Sequence, residues 1–223
     1  MLNAMNTQGM IQMAGVVSSL FMLIFSINFA LYFLLLCGKV HQALRSDELR
    51  FFLAVVAFST LLISINIWPM YPADGSAVRH AAFQVGSIIS TTGFASTDFN
   101  LWPEFSRILL VLLMFIGACA GSTGGGMKVS RIVIWVKETG REIASLLHPR
   151  CVKVIKMEGK AVEKSVIRSA NAYFIVYFLI FALSVLVVSL DNFDFTTTFT
   201  AVAATFNNIG PGLGGVGPMC NFS

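Results

Sequence analysis

The chain has 223 residues, of which 56% are hydrophobic and only 12% are charged. Soluble domains carry roughly 25% charged residues, so this composition excludes an ordinary soluble domain and indicates a membrane protein. The mean hydropathy of +0.78 agrees with that class.

The basic residues are concentrated in two stretches. Of the 15 Lys and Arg, three lie in 39–50 and ten lie in 128–168. Cytoplasmic loops carry an excess of Lys and Arg, so we expect both stretches to be cytoplasmic. The net charge of +4 then reflects membrane topology and does not indicate nucleic-acid binding.

Two spans open the chain. Residues 11–37 form an uncharged run that is long enough to cross a bilayer, and the basic stretch 39–50 stops it in the cytoplasm. Residues 51–68 return the chain outward. The segment WPMYP then ends the helix with prolines and with aromatic side chains typical of the membrane boundary.

A shorter apolar segment, 81–89, follows and cannot span the membrane alone. It continues into Ser90-Thr91-Thr92-Gly93 and then into polar sequence, which predicts a half-helix that enters the membrane and turns back. Residues 107–136 then run inward and 169–190 run outward. Between them, alternation around Glu158-Gly159-Lys160 predicts a short hairpin.

The end of the chain repeats this order. When Gly93 is aligned with Gly210, FQVGSIISTTGF lies over TAVAATFNNIGP: the identity is weak, but each copy has a spanning helix, a half-helix and a polar–Gly turn. Such repeats stack around a shared axis. Residues 1–47 therefore end an earlier unit, 48–150 form a complete unit, and 151–223 hold the hairpin, helix and pore loop of another.

The two polar–Gly turns can supply ligands for a cation. A dehydrated cation in a membrane needs oxygens in place of water, and carbonyls of a Gly-containing turn provide them. The negative end of each half-helix favours a cation in the cavity below. Asp98, Asp191 and Asp194 either concentrate cations at the outer mouth or are ordinary loop charges.

The stretch GACAGSTGGGMK, residues 117–128, interrupts the inward helix with five glycines. A phosphate-binding loop requires Lys and then Ser or Thr directly after its last Gly, between a strand and a helix. Here Met127 precedes Lys128 and the surrounding sequence is a membrane helix, which argues against a nucleotide site. The glycines instead predict a helix that is broken inside the membrane.

The motifs STTGF, GACAGSTGGGMKVSR and NNIGPGLG, in this order, resemble those of the Trk/Ktr/HKT potassium transporter superfamily, most of all its bacterial TrkH-type subunits. The resemblance implies an all-α membrane protein of the potassium-channel type. Four linked helix–pore loop–helix units would surround one pore, in a homodimer regulated by a cytoplasmic nucleotide-binding subunit. The three parts of this chain would then belong to the second, third and fourth units, and the last helix of the fourth would be missing.

The resemblance also implies the site. The filter would comprise Ser90, Thr91, Thr92 and Gly93 of the third unit and Asn207, Asn208, Ile209 and Gly210 of the fourth. Potassium would bind the carbonyls of Thr91, Thr92, Asn208 and Ile209. A gating loop below the filter would comprise Gly117, Gly121, Ser122, Thr123, Gly124, Gly125 and Gly126.

Together with the two polar–Gly turns and the broken helix, the resemblance implies potassium transport across the bacterial inner membrane. The expected partners are potassium ions and the lipid bilayer, without nucleic acid, a bound cofactor or an enzymatic role. Two alternatives stay open from the residues: a secondary transporter for a small solute built on broken helices, and a non-conducting fragment. With two filter segments rather than four, we expect activity only within the full-length protein.

Overall fold

The computed structural model describes residues 2–72, 75–147 and 154–219. These residues are mainly helical. Nine α-helices and one small hairpin follow in chain order within the described ranges: α1 Leu2–Phe25, α2 Phe29–Leu36, α3 Val40–Leu44, α4 Asp47–Ile67, α5 Ser76–Ile89, α6 Glu104–Ile116, α7 Val129–Leu147, β1 Lys156–Met157, β2 Lys160–Ala161, α8 Lys164–Val188 and α9 Phe195–Phe206.

Among the described residues, two stretches are long and apolar enough to cross a membrane as single helices, Asp47–Met70 and Lys164–Asp191. The first is built on α4 and the second on α8. A third candidate is the pair α1 and α2, if its two parts count as one broken span. The predicted outward helices at 51–68 and 169–190 therefore lie within these two stretches.

The predicted span at 11–37 is not one straight helix. It ends at Phe25, resumes at Phe29, and bends there by 90°. The cause is local, because the Asn28 side chain accepts a hydrogen bond from Ala30 N–H at 2.9 Å and so caps a new helix. Ser26 Oγ meanwhile donates to the Met22 carbonyl at 2.7 Å in the last turn of α1.

Helices α5 and α9 are the half-helices that the sequence predicts. They have 14 and 12 residues, or about 21 and 18 Å at 1.5 Å per residue, which is well short of a bilayer core of about 30 Å. Helix α5 packs against α1, α4 and α6, whereas α9 packs against α8 and α6. The main core lies where these helices meet and includes Phe52, Ile63, Val85, Leu110 and Met114.

Residues 156–161 form the short hairpin that the sequence predicts, with Lys156 opposite Ala161 and Met157 opposite Lys160. Its two turn residues, Glu158 and Gly159, have φ of 53° and 80°. Two successive positive φ values are typical of the tight turns that match strand twist.

The hairpin is held against the start of α4. Lys137 Nζ lies 2.6 Å from Asp47 Oδ2 and donates to the Lys156 carbonyl at 2.9 Å. Ser46 Oγ donates to Glu158 Oε1 at 2.9 Å. These contacts bring parts of the two basic stretches, 39–50 and 128–168, to the same end of the molecule.

Substitution of Gly140 tests whether α7 is a regular helix at this position. It lies inside that helix, is exposed, and a Cβ added there would meet nothing within 4 Å. Because Gly costs about 1 kcal/mol against Ala inside a helix, Gly140→Ala should raise the thermal unfolding midpoint of the full-length protein in detergent. A lowered midpoint would contradict a regular helix at this position.

Candidate functional site

The first half-helix ends in a tight turn at the predicted filter. Thr92 N–H donates to the Ser87 carbonyl at 2.9 Å and Thr91 N–H donates to the Ile88 carbonyl at 3.1 Å. This pair of bonds is the Schellman motif. Its left-handed residue is Thr91, with φ of 57°, where a β-branched side chain is uncommon. Such strained positions concentrate at functional sites.

The second half-helix ends in the same turn. Ile209 N–H donates to the Ala204 carbonyl at 2.8 Å and Asn208 N–H donates to the Thr205 carbonyl at 3.1 Å. Asn208 takes the left-handed position with φ of 58°. The two turns therefore have equivalent backbones at the positions that the Gly93–Gly210 alignment pairs, although their sequences differ.

The two turns meet at Gly93. Both Gly93 and Gly210 have positive φ, 78° and 109°. A Cβ added at Gly93 would overlap the carbonyl oxygen of Ile209, whereas one at Gly210 would meet nothing within 4 Å. Position 93 thus requires Gly for its backbone conformation and for the close approach of the other turn, and position 210 requires it for conformation alone.

Side chains of the first turn stabilise its backbone. Ser90 Oγ and Thr92 Oγ1 share a hydrogen bond at 2.7 Å, and Ser90 Oγ also donates to the Ser87 carbonyl at 3.1 Å. Ser87 Oγ donates to the Phe94 carbonyl at 2.5 Å. The hydroxyls of Ser90 and Thr92 therefore bond to each other and to the loop, and they keep its backbone in place.

Asn207 has the same structural role in the second turn. It is buried, its Oδ1 accepts a hydrogen bond from the Tyr177 hydroxyl at 2.6 Å, and its Nδ2 donates to the Ala203 carbonyl at 2.8 Å. The side chain thus faces α8 and α9. Tyr177 was not among the predicted site residues, because one tyrosine inside an apolar helix carries no sequence signal.

The glycine-rich stretch breaks the helix predicted over residues 107–136, as expected from its glycines. Helix α6 ends at Ile116 and α7 begins at Val129. Between them, positive φ values occur at Gly117, Gly121, Gly126 and Lys128. The ammonium group of Lys128 donates to the carbonyl of Gly124 within the same stretch. We call residues 117–128 the Gly loop.

The Gly loop lies directly against both turns. Gly125 N–H donates to Thr91 Oγ1 at 2.7 Å. A Cβ at Gly125 would overlap the Asn207 carbonyl oxygen, and one at Gly124 would lie 3.1 Å from the Ser90 carbonyl oxygen. The loop thus covers the C-terminal ends of the two half-helices, and glycine makes this close packing possible. The predicted filter and gating residues form one continuous cluster.

On the other side of the turns is an open cavity of about 450 Å³. It is lined by Gly93, Phe94, Ala95, Gly210, Pro211, Val216, Gly217, Pro218 and Met219. The Asn100 side chain bridges this mouth: its Oδ1 accepts from Gly214 N–H at 3.0 Å and its Nδ2 donates to the Gly214 carbonyl at 3.3 Å. Asn100 was also not predicted, since its partner is 114 residues away.

Two of the three acids proposed near the mouth have structural roles. Asp98 accepts a hydrogen bond from Asn100 N–H at 3.0 Å, and Asp194 caps α9 by accepting from Thr197 N–H at 3.1 Å. The hydrogen bonds from Thr197 lower the pKa of Asp194. Asp194 therefore stays ionised at neutral pH, where its charge also favours the positive end of α9.

Replacement of Tyr177 by Phe tests how the second turn is held. The change leaves the buried Asn207 Oδ1 without its donor, which costs about 1–3 kcal/mol. We expect a lower thermal midpoint for the full-length protein in detergent and weaker ion selectivity. The matched control is Tyr173→Phe, which keeps a ring over the Arg131 guanidinium. Equal effects of the two substitutions would contradict a specific role for the Tyr177 hydroxyl.

Comparison with known proteins agrees with this geometry. The sequence profile of the TrkH family, described as a cation transport protein, matches residues 2–222. The chain is 36% identical over 199 residues to the Trk system potassium uptake protein TrkH of Escherichia coli K12, covering 88% of this chain and 41% of that protein. It is 39% identical over 207 residues to TrkH of Vibrio parahaemolyticus, covering 91% and 43%.

A solved structure is similar as well. The crystal structure of the potassium transporter TrkH from Vibrio parahaemolyticus matches with a TM-score of 0.83 and 38% identity, covering 91% of this chain and 44% of that one. The chain thus spans less than half the length of these relatives. The match over 221 residues and the shared fold lead to one conclusion: this chain belongs to the TrkH family of cation transport proteins.

Proposed function

We propose that this chain contributes two of the filter segments and a gate to a Trk-type potassium uptake protein of the bacterial inner membrane. One observation carries the proposal: two half-helices end in the same turn and meet where Gly93 packs on the Ile209 carbonyl. The relatives named as potassium uptake proteins support the choice of ion. Potassium is then the transported substrate.

In this proposal, potassium binds the carbonyls of Thr91 and Thr92 in the third unit and of Asn208 and Ile209 in the fourth. The support is that each turn has a glycine and a left-handed residue at the same two positions. The hydroxyls of Ser90 and Thr92 and the amide of Asn207 are bonded within the protein. Backbone oxygens are therefore the groups that both turns have in common.

The Gly loop acts as the gate in this proposal. It packs on the C-terminal ends of both half-helices, where an ion leaving the filter would enter the space below the filter. The loop must leave this space before an ion can pass. The glycines of the loop allow a second backbone conformation at low steric cost. The surrounding protein can form hydrogen bonds with the backbone N–H and C=O groups that the broken helix exposes.

The functional unit is the full-length protein, in which four units complete the pore. We place the basic stretches 39–50 and 128–168 in the cytoplasm, and the contacts of Lys137 with Asp47 and Lys156 join them at one end. In the proposed assembly the full-length protein forms a homodimer, and a nucleotide-binding regulatory subunit binds at the cytoplasmic end. The word "system" in the relatives' names is consistent with more than one component.

Substitution of the two filter glycines tests the ion site. Gly93→Ser and Gly210→Ser should both reduce the preference for potassium over sodium, since both positions have positive φ. The loss should be larger at Gly93, where Cβ also overlaps the Ile209 carbonyl. Flux of the two ions into proteoliposomes holding the full-length protein measures this, with Gly140→Ala as control. Unchanged selectivity in both variants would remove the filter assignment.

Gly125→Ala tests the gate. Its Cβ would collide with the Asn207 carbonyl, so the Gly loop should move away from the second turn. We expect a higher open probability in single-channel recordings of the full-length protein, with selectivity retained because the turns themselves are unchanged. If open probability and flux both stay at the wild-type level, the Gly loop is not the gate.

A further inference from the structure

A buried acid contacts the Gly loop at Ala120, apart from the loop's contacts with the filter turns. Glu48 lies in the first turn of α4 and its residue is only 4% exposed. Its Oε1 accepts a hydrogen bond from Ala120 N–H at 2.6 Å, and the Asn28 side chain and the Ser130 backbone lie beside the same carboxyl group. A buried carboxyl group is costly unless it is hydrogen-bonded, so this position requires these partners.

The bond between Ala120 and Glu48 gives the Gly loop a hydrogen-bond acceptor that the broken helix no longer supplies. Since the helix is interrupted after Ile116, the backbone N–H and C=O groups around the break lose their regular partners and must find others inside the protein. Three consecutive residues of the loop do so. Cys119 N–H donates to the Ser26 carbonyl at 3.0 Å, Ala120 N–H donates to Glu48, and the Gly121 carbonyl accepts from Phe29 N–H at 3.2 Å.

These three contacts differ in kind. Those of Cys119 and Gly121 join two backbones, namely the Gly loop and the break between α1 and α2. The contact of Ala120 is made by a side chain that comes from another helix. Glu48 is therefore the point at which α4 determines where the loop lies.

We propose that Glu48 is the positioning residue that holds the Gly loop against the two filter turns, and so keeps the ion path closed at rest. The loop is thus bonded at two points, to Thr91 through Gly125 and to Glu48 through Ala120. The inference rests on the proposed gating function of the loop. It adds a residue outside the filter and the glycine motif, on a helix that does not form the break.

Hydrogen exchange of the full-length protein in detergent tests the contact without reference to transport. In Glu48→Ala, amides of residues 117–126 should exchange about 10- to 100-fold faster, as expected when a buried N–H loses its acceptor. In Glu48→Gln one of the two carboxyl oxygens becomes an NH2 group that cannot accept from the donors beside it, so the increase should be about three- to tenfold and confined to the loop. The matched control is Glu104→Ala, which removes an exposed carboxylate at the far end of α6.

Potassium flux into proteoliposomes forms the second measurement. We expect higher resting flux for both Glu48 variants and wild-type flux for Glu104→Ala. Wild-type exchange of the loop in Glu48→Gln or Glu48→Ala overturns the inference. Faster exchange with unchanged flux supports the role of Glu48 in holding the loop but overturns its role as a gate. If Glu48→Ala does not fold, Glu48→Gln alone decides the outcome by the same two measurements.

Discussion

The structure depends on one constraint: backbone N–H and C=O groups that leave a helix inside a bilayer must bond to other protein groups, to water or to an ion. In the described part of the chain, helices break or end at four places that lie together. The bend after Phe25 bonds to the Gly loop through Cys119 and Gly121, and the Gly loop bonds to the first turn through Gly125. The Gly loop also packs on the second turn at the Asn207 carbonyl. The bend, the Gly loop and the first turn thus supply hydrogen-bond partners for one another, which explains why they lie together.

The two turns show that backbone geometry, more than side-chain identity, is what the units share. Ser-Thr-Thr-Gly and Asn-Asn-Ile-Gly adopt the same Schellman geometry with a left-handed second residue. They are stabilised differently: the first by its own hydroxyls, the second by the Tyr177 hydroxyl from α8. If carbonyl oxygens bind the ion, the side chains are free to diverge as long as they keep the backbone in place.

The sequence was sufficient for the elements that have strong local signals. The apolar runs of α4 and α8, the short half-helices, the hairpin at Glu158-Gly159 and the glycine break were all predicted from periodicity, length and composition. The bend between α1 and α2 was not. Ser26 and Asn28 are two polar residues in a long apolar run, and such residues often lie in straight spans. The Asn28 cap allows a new helix to begin there, and the bond from Phe29 N–H to the Gly121 carbonyl, which only the tertiary structure shows, holds the bend in place.

The amino-acid sequence by itself thus determined the class of protein, the order of its elements and the glycines at which the chain turns, because these depend on hydropathy and on local backbone freedom. The tertiary structure alone decided which groups meet: Gly93 with the Ile209 carbonyl, Asn207 with Tyr177, Asn100 with Gly214, and Ala120 with Glu48. These pairs are 30 to 116 positions apart in the chain. The need to satisfy buried polar groups selects them, and that need appears only after the helices have packed.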